Sequence, residues 1–386
     1  MAGLAARLLS LALVAAWLIA PGAAGDNALH LFRAAPASLR PHAEVAASLS
    51  RTGLAGERVI YSYAGLRPPG ALLSAIRAGE AAGVIMFGSN ISSRAQLRRV
   101  IGQLQSAALS GPLHTRLLIL TDQEGGEVRR LPGAPLLSER QIGRSPAGLA
   151  LARIAGAGAA GTLAGVGINV NLAPVLDVYR RPGNFIDRFQ RSYSSNPATV
   201  ARLGSAFIAA QQSRGVAASA KHFPGLGAAT VAQNTDAGPV TLTVPLVTLR
   251  AVDEAPFAAG IRAGVHLVMS SWAIYSALDA HRPAGLSPVI VGGELRRRLR
   301  FSGVTITDAI DAGALSGYGS VGNRSVLAAA AGEDLILAAT TNQLDNSPAI
   351  GLAAFHAIYS AITARRLGLA GARSAAARVI ALRAAT

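Results

Sequence analysis

Apolar residues come in short, almost unbroken runs at regular intervals along this chain. The runs are Arg58–Tyr61, Gly83–Phe87, Arg116–Thr121, Ile168–Leu172, Val216–Lys221, Val265–Ser270, Val304–Thr307 and Asp334–Ala338. Most show no alternation of apolar and polar positions, which is the pattern of parallel strands covered on both faces. Between them lie Ala-, Leu- and Arg-rich stretches with helical spacing, such as Ser93–Leu109, Gly148–Ala164 and Pro197–Arg214. Ser195-Asn196-Pro197 supplies a cap and a first-turn proline for the last of these. Strands alternating with helices in this way predict an α/β fold. The expected form is a single-domain (β/α)8 TIM-type barrel over residues 26–386, for which about 250 residues is typical and insertions are common. A doubly wound open sheet is the alternative. No linker divides the chain: Pro245–Gly303 carries Pro and Gly punctuation but stays apolar. The tail Ser347–Thr386 reads as helix that closes the barrel, rather than as an amphipathic face docked on a membrane.

The charged residues fall where the runs end. Asp122 follows Leu117–Thr121, and Asp177 follows Asn169–Leu176. Lys221 and His222 end the fifth run, and Asp308 ends Val304–Thr307. In a barrel these places are the C-terminal strand ends, where catalytic groups sit. Unpaired charges there would be costly, so they should pair with one another or with a ligand. An Asp after a strand can also cap the next helix; that role is expected of Asp177 and not of Asp308. The segment Lys221-His222-Phe223-Pro224-Gly225-Leu226-Gly227, followed by Asn234-Thr235-Asp236, joins a cation, an imidazole and a glycine-rich loop. Such a cluster suits a polar, hydroxyl-rich ligand.

Composition narrows the picture. The chain has 386 residues, 51% of them hydrophobic, enough for a sizeable core. It has no cysteine, which excludes disulfides, a thiol nucleophile and a zinc–thiolate site. Arg7, the apolar run Leu8–Ala20 and Pro21-Gly22-Ala23-Ala24-Gly25 read as a secretory signal peptide over residues 1–25. The run is shorter than the roughly 20 residues of a membrane span; an uncleaved N-terminal anchor is the alternative. Export is therefore expected, to the medium or the cell envelope. The net charge is +16, from 36 Lys+Arg against 20 Asp+Glu. It suggests either electrostatic attraction to an acidic cell envelope or an Arg-biased composition spread over solvated helix faces. Nucleic acid is not an expected partner: the basic residues are scattered, aromatics make up 5%, and no recognition module is present. His30, His42 and His114 do not converge at ligand spacing, so no metal is expected. Gly125-Gly126 and Gly225-Leu226-Gly227 lack the context of a phosphate or dinucleotide loop, and no Gly-x-Ser-x-Gly elbow occurs. No cofactor is expected, and oligomeric state is not legible.

Several motifs, taken in order, resemble family 3 glycoside hydrolases, particularly the β-N-acetylglucosaminidase branch. They are Gly83–Ile91, Thr121-Asp122-Gln123-Glu124-Gly125-Gly126-Glu127-Val128-Arg129-Arg130-Leu131, Asn171–Val178, Arg191-Ser192-Tyr193, Lys221–Gly225 and Thr307-Asp308-Ala309. The resemblance implies that Asp122, Arg130, Arg191, Lys221 and His222 bind sugar hydroxyls in the terminal subsite. Carboxylates and guanidinium groups suit that task, because both make paired hydrogen bonds to neighbouring hydroxyls. It implies that Asp308 is the nucleophile of a retaining mechanism, placed to stabilise and then capture an oxocarbenium-like carbon. It also implies a β-linked N-acetylglucosaminyl substrate, as in cell-wall fragments, because the family's β-glucosidases generally carry a second domain.

The chain departs from that branch at the proton-transfer residues. The branch usually reads Lys-His-Phe-Pro-Gly-His-Gly and then Asp-Ser-His, whose last His is the acid/base. Here Leu226 replaces the second His of the glycine loop, and Asn234-Thr235-Asp236 stands in place of Asp-Ser-His. Three readings stay open. Asp236 replaces the His as acid/base, with a raised pKa. Alternatively Glu124, Glu254 or a group from a partner chain supplies the proton. In the third, the site holds glycan with little or no turnover, as in a glycan-binding envelope protein. A β-glucosidase-like activity is a further alternative.

Overall fold

The structure is a computed structural model and describes residues 40–386. The expected signal segment lies outside the described residues. Eight parallel strands run in chain order: β1 (Val59–Tyr61), β2 (Gly83–Ile85), β3 (Leu118–Thr121), β4 (Val170–Asn171), β5 (Ala217–Phe223), β6 (Leu267–Ser270), β7 (Val304–Thr307) and β8 (Ile336–Leu337). Each lies beside its sequence neighbour, and β8 returns to β1 through Val59–Ile336 and Ile60–Leu337. The last seam is closed by a parallel bridge between Ile306 and Leu335. There Leu335 N donates to Thr305 O at 2.9 Å, and Thr307 N donates to Leu335 O at 3.0 Å. The result is a (β/α)8 barrel, and the open-sheet alternative does not hold.

A helix follows every strand. They are α1 (Gly70–Arg77), α2 (Arg94–Leu109), α3 (Gly148–Ala164), α4 (Pro197–Gln212), α5 (Ala255–Arg262), α6 (Val289–Arg298, wound as a π-helix), α7 (Val321–Ala331) and α8 (Pro348–Thr363), and α9 (Leu369–Ala385) ends the chain. The caps follow the sequence. Ser93 accepts from Gln96 N at the start of α2, and Asn196 accepts from Ala198 N and Thr199 N ahead of Pro197 in α4.

The unbroken apolar runs are explained by burial on two sides. Ile60, Ile85, Leu118, Leu120, Leu267 and Ile306 fill the barrel. The alternate residues Val59, Tyr61, Val84 and Ile119 pack outward under the helices. Truncating one of these fully buried leucines to Ala would cost about 2–5 kcal/mol. Gly83 is needed where β2 meets β3, because a Cβ there would lie 2.4 Å from the Leu118 carbonyl oxygen.

The tail closes the barrel, but as two helices rather than one. Arg365 takes a left-handed φ of 60°, and both Arg366 N and Leu367 N bond back to Ala361 O, which turns the chain before α9. α9 seals the barrel floor: its Val379 and Leu382 join the interior cluster, and Arg378 grips Asp334 through two bonds of 3.0 and 2.7 Å. Its apolar residues thus pack on the domain. The stretch after β5 holds one element that sequence pattern did not reveal, a small sheet of Thr241–Leu242, Ile274–Tyr275 and Asp279–Pro283. Among the described residues no helix is long and apolar enough to cross a membrane.

Candidate active site

At the C-terminal ends of the strands the barrel opens into a cavity of about 170 Å³. Asp122, Arg130, Arg191, Lys221, His222, Asp236 and Asp308 all line it. The five expected sugar-binding residues, Asp308 and Asp236 therefore reach one place.

Lys221 is the centre of the charged part. It projects inward from β5, and its Nζ donates to Asp122 Oδ1 at 2.8 Å and lies 2.7 Å from Glu124 Oε1. Glu124 in turn takes a two-pronged bond from Arg191, with Nε to Oε2 at 2.9 Å and Nη2 to Oε1 at 2.8 Å. Arg130 Nη2 lies 3.6 Å from the second Asp122 oxygen. A hairpin of Gln123–Gly125 and Val128–Arg129 carries the acidic pair. Asn171 of β4 fixes it, accepting from Gln123 N at 2.9 Å and donating to Gln123 O at 3.1 Å.

The charges sustain one another. Burial alone would push the Asp122 and Glu124 carboxyls up, but their cations outweigh it. Lys221 and Arg130 hold Asp122 down at about 2, and Arg191 and Lys221 hold Glu124 at about 2. Burial would lower Lys221, yet Asp122 and Glu124 raise it above its ordinary value. The cluster is thus fully ionised at neutral pH.

His222 is set by Asp177. The fully buried Asp177 accepts from His222 Nδ1 at 2.8 Å, His222 N at 3.2 Å and Leu226 N at 2.6 Å. Because a carboxylate only accepts, Nδ1 carries the proton, which leaves Nε2 for a ligand. The helix-capping role expected of Asp177 is therefore wrong. No helix starts there: the chain after it runs irregularly to a short 3-10 turn at Asp187–Phe189, and its carboxylate faces the His222 loop instead. The glycines let that loop lie flat. Gly225 has a φ of 135°, and a Cβ on Gly227 would sit 2.0 Å from the Val178 carbonyl oxygen.

Asp308 follows β7, half-buried, with Oδ1 accepting from Ala309 N at 2.7 Å. Trp272 Nε1 donates to Ala309 O at 2.9 Å and steadies that turn. Asp236 arrives on the long loop after β5. Its segment is docked on the loop that follows Asp308: Gly313 N donates to Asp236 O and Ala314 N to Thr235 O, each at 2.9 Å. The Asp236 side chain remains exposed at the rim. The surrounding protein still crowds its carboxyl, and burial followed by the charge of Asp308 pushes it up to about 6.

Two members of this arrangement were not assigned their parts from sequence. Glu124, expected at most as a proton donor, joins Arg191 to Lys221; its place in the Asp-Gln-Glu-Gly-Gly motif is the available signal. Asp177 was legible only as a strand-end acid. Glu254, the other proposed proton source, stands outside the cavity in an ion pair with Arg298.

The class of this barrel is shown by comparison with known proteins. The Glycosyl hydrolase family 3 N terminal domain matches residues 64–382, and the chain belongs to that family. It is a glycoside hydrolase with beta-hexosaminidases among its relatives. An uncharacterized secreted glycosyl hydrolase of Arthroderma benhamiae is 47% identical over 290 residues, 75% of this chain and 82% of that protein. A beta-hexosaminidase of Xanthomonas oryzae pv. oryzae is 35% identical, over 66% of this chain and 75% of that protein. Among solved structures, a family 3 beta-N-acetylglucosaminidase from Paenibacillus superposes with a TM-score of 0.81 at 31% identity; the match covers 88% of this chain and 63% of that one.

Proposed function

We propose that the protein is an exported, retaining β-glycosidase that removes terminal β-N-acetylglucosaminyl units from cell-wall or related glycans. The cavity is small beside the roughly 300–1,000 Å³ of drug-sized sites, which suits a single terminal sugar ring. Asp122, Arg130, Arg191, Lys221 and His222 bind its hydroxyls. Asp308 attacks the anomeric carbon while Asp236 gives its proton to the departing glycosidic oxygen. The C–O bond breaks and a glycosyl–Asp308 ester forms. Asp236, now a carboxylate, takes a proton from water, whose oxygen attacks the same carbon and releases Asp308. Two inversions give net retention.

The observation that carries this reading is one cavity shared by Asp308, Asp236 and the ionised cluster, with the Asp236 carboxyl raised toward the range of a general acid. Glu124 is a poor rival, since both its oxygens are held in ion pairs and it is ionised near neutrality. A second reading, sugar binding with little turnover, is favoured by the exposure of Asp236 at the rim. The imprinted charge of the pocket serves either reading. To test them, purified protein is given nitrophenyl N-acetyl-β-glucosaminide, the β-glucoside and the β-xyloside, with sugar binding measured in parallel. Release from the first donor, with a β-configured first product, supports the proposal. Binding without release from any donor sinks it in favour of the second reading. The expectation of export is supported by the apolar N-terminal segment; N-terminal sequencing of the mature protein checks it.

A further inference from the structure

Exposed arginines occur all round the barrel, but at one end the turns carry them without exposed acids. On the barrel floor, at the end away from the cavity, the helix-to-strand turns and the turn between α8 and α9 expose arginines. They include Arg77, Arg116, Arg214, Arg262, Arg300 and Arg365, all exposed. Among the described residues none of the six forms an ion pair. The carboxylates of the same turns are withdrawn. Glu57 and Asp334 are buried against Arg383 and Arg378, Glu333 is buried, and Glu80 is half-buried. Glu44, on the neighbouring helix Arg40–Ser48, is exposed. The loops at the cavity end are mixed instead, exposing Glu127, Asp236, Asp311 and Asp345.

Two of the floor arginines sit where another residue would be easier. Arg300 and Arg365 have φ of 56° and 60°, the left-handed conformation that usually takes Gly or Asn at a helix end. Exposed Leu109 and Leu369 lie among these turns, and no Phe, Tyr or Trp of the turns is exposed to stack on a base. The helix Arg40–Ser48 packs on α9 at the same end, and His42 borders the same floor hollow as His266 and Phe301. The apolar run Leu8–Ala20 precedes that helix in sequence.

We propose that the floor is a docking surface for an anionic lipid bilayer, holding the barrel with its cavity turned away from the membrane. Arginines gathered on the turns of one barrel end suit a broad charged surface, and the two leucines suit its interfacial layer. The cavity end, where exposed acids stand beside the exposed Arg67, Arg181, Arg188 and Arg282, offers no such one-signed surface. The inference stands apart from which sugar is cleaved.

The full chain is mixed with vesicles of phosphatidylcholine, with and without phosphatidylglycerol, at low and high salt, and bound protein is separated by flotation. Binding should be at least about 10-fold stronger to the anionic vesicles and should weaken with salt. The triple variant Arg116→Glu/Arg214→Glu/Arg262→Glu should lose that preference. A control triple, Arg99→Glu/Arg153→Glu/Arg202→Glu, makes the same charge change on exposed sides of α2, α3 and α4 and should keep it. Circular dichroism checks that both triples fold, and the apolar N-terminal run is unchanged in all three proteins. Equal loss in the two triples would overturn the proposal, because net charge alone would then explain binding. Equal binding to neutral vesicles, or displacement from anionic vesicles by a single-stranded oligonucleotide, would overturn it too.

Discussion

Two parts of one cavity are held in opposite ways. Lys221 is fixed between Asp122 and Glu124, and Arg191 grips Glu124 with two hydrogen bonds, so each charge is placed by another that is buried or half-buried. Asp236 has no such partner. Its segment rests on two backbone bonds from Gly313 and Ala314, and its carboxyl stays at the rim. The first arrangement is rigid because breaking any link strands a buried charge. The second is adjustable because little is lost when the loop shifts. A sugar must be bound in one pose, whereas an acid/base must release and regain a proton, and the two arrangements match those tasks.

The greatest loss is expected where both parts converge. Asp308→Asn keeps shape but removes the nucleophile, and should lower release of nitrophenol by about 10⁴-fold or more. Sugar binding, followed by titration calorimetry, should survive. Loss of binding as well would mean that Asp308 belongs to the ionised cluster rather than to the chemistry.

Asp236→Asn separates the two parts more finely. On a natural disaccharide it should cost about 10²–10⁴-fold, the usual range for a general acid. On an activated nitrophenyl donor, whose leaving group needs little protonation, the first step should be nearly unaffected. The pH profile carries the same message. The acid must begin protonated, and its carboxyl is raised to about 6 by burial and by Asp308. Activity on the disaccharide should therefore fall about tenfold per unit as pH rises above 6, and the Asn variant should lose that limb. A limb that stays in place would assign the proton to another group.

Glu124→Gln attacks the rigid part. It leaves Lys221 with one carboxylate and Arg191 without its paired acceptor. Removing one partner of a buried charge pair costs about 3–5 kcal/mol, so the denaturation midpoint should drop and KM should rise. An unchanged midpoint with a raised KM would show that the cluster is solvated in the free protein and ordered only by sugar.

The same contrast explains what could be read from the sequence. All eight strands were legible because a strand buried on both faces must be apolar throughout, even where only two residues, as in β4 and β8, keep ladder geometry. Much of the ionised cluster was legible because Asp122 and Lys221 stand at strand ends and Arg130 and Arg191 stand in recognisable motifs. Asp177 was misjudged because its partner His222 is 45 residues away and joined only through the fold. The break between α8 and α9 was missed because Arg365, not glycine, takes the left-handed turn. The docking of the Asp236 segment was invisible for a simpler reason: it is made of backbone groups, which any sequence possesses.

That docking yields the smallest and most discriminating prediction. A Cβ on Gly313 would lie 2.5 Å from the Ala237 carbonyl oxygen and 2.8 Å from that of Asp236. Gly313→Ala must therefore push the two loops apart without touching the cavity's charges. If the loop contact sets the reach of Asp236, turnover of the disaccharide should fall by about 10-fold, as misplacement on an ångström scale can cause. KM and nitrophenyl release should stay near their original values. An equal fall on both donors would instead mean that the shift reaches Asp308 through the same loop. No change on either would mean that the segment adjusts freely, and that the sugar rather than Gly313 brings Asp236 into place.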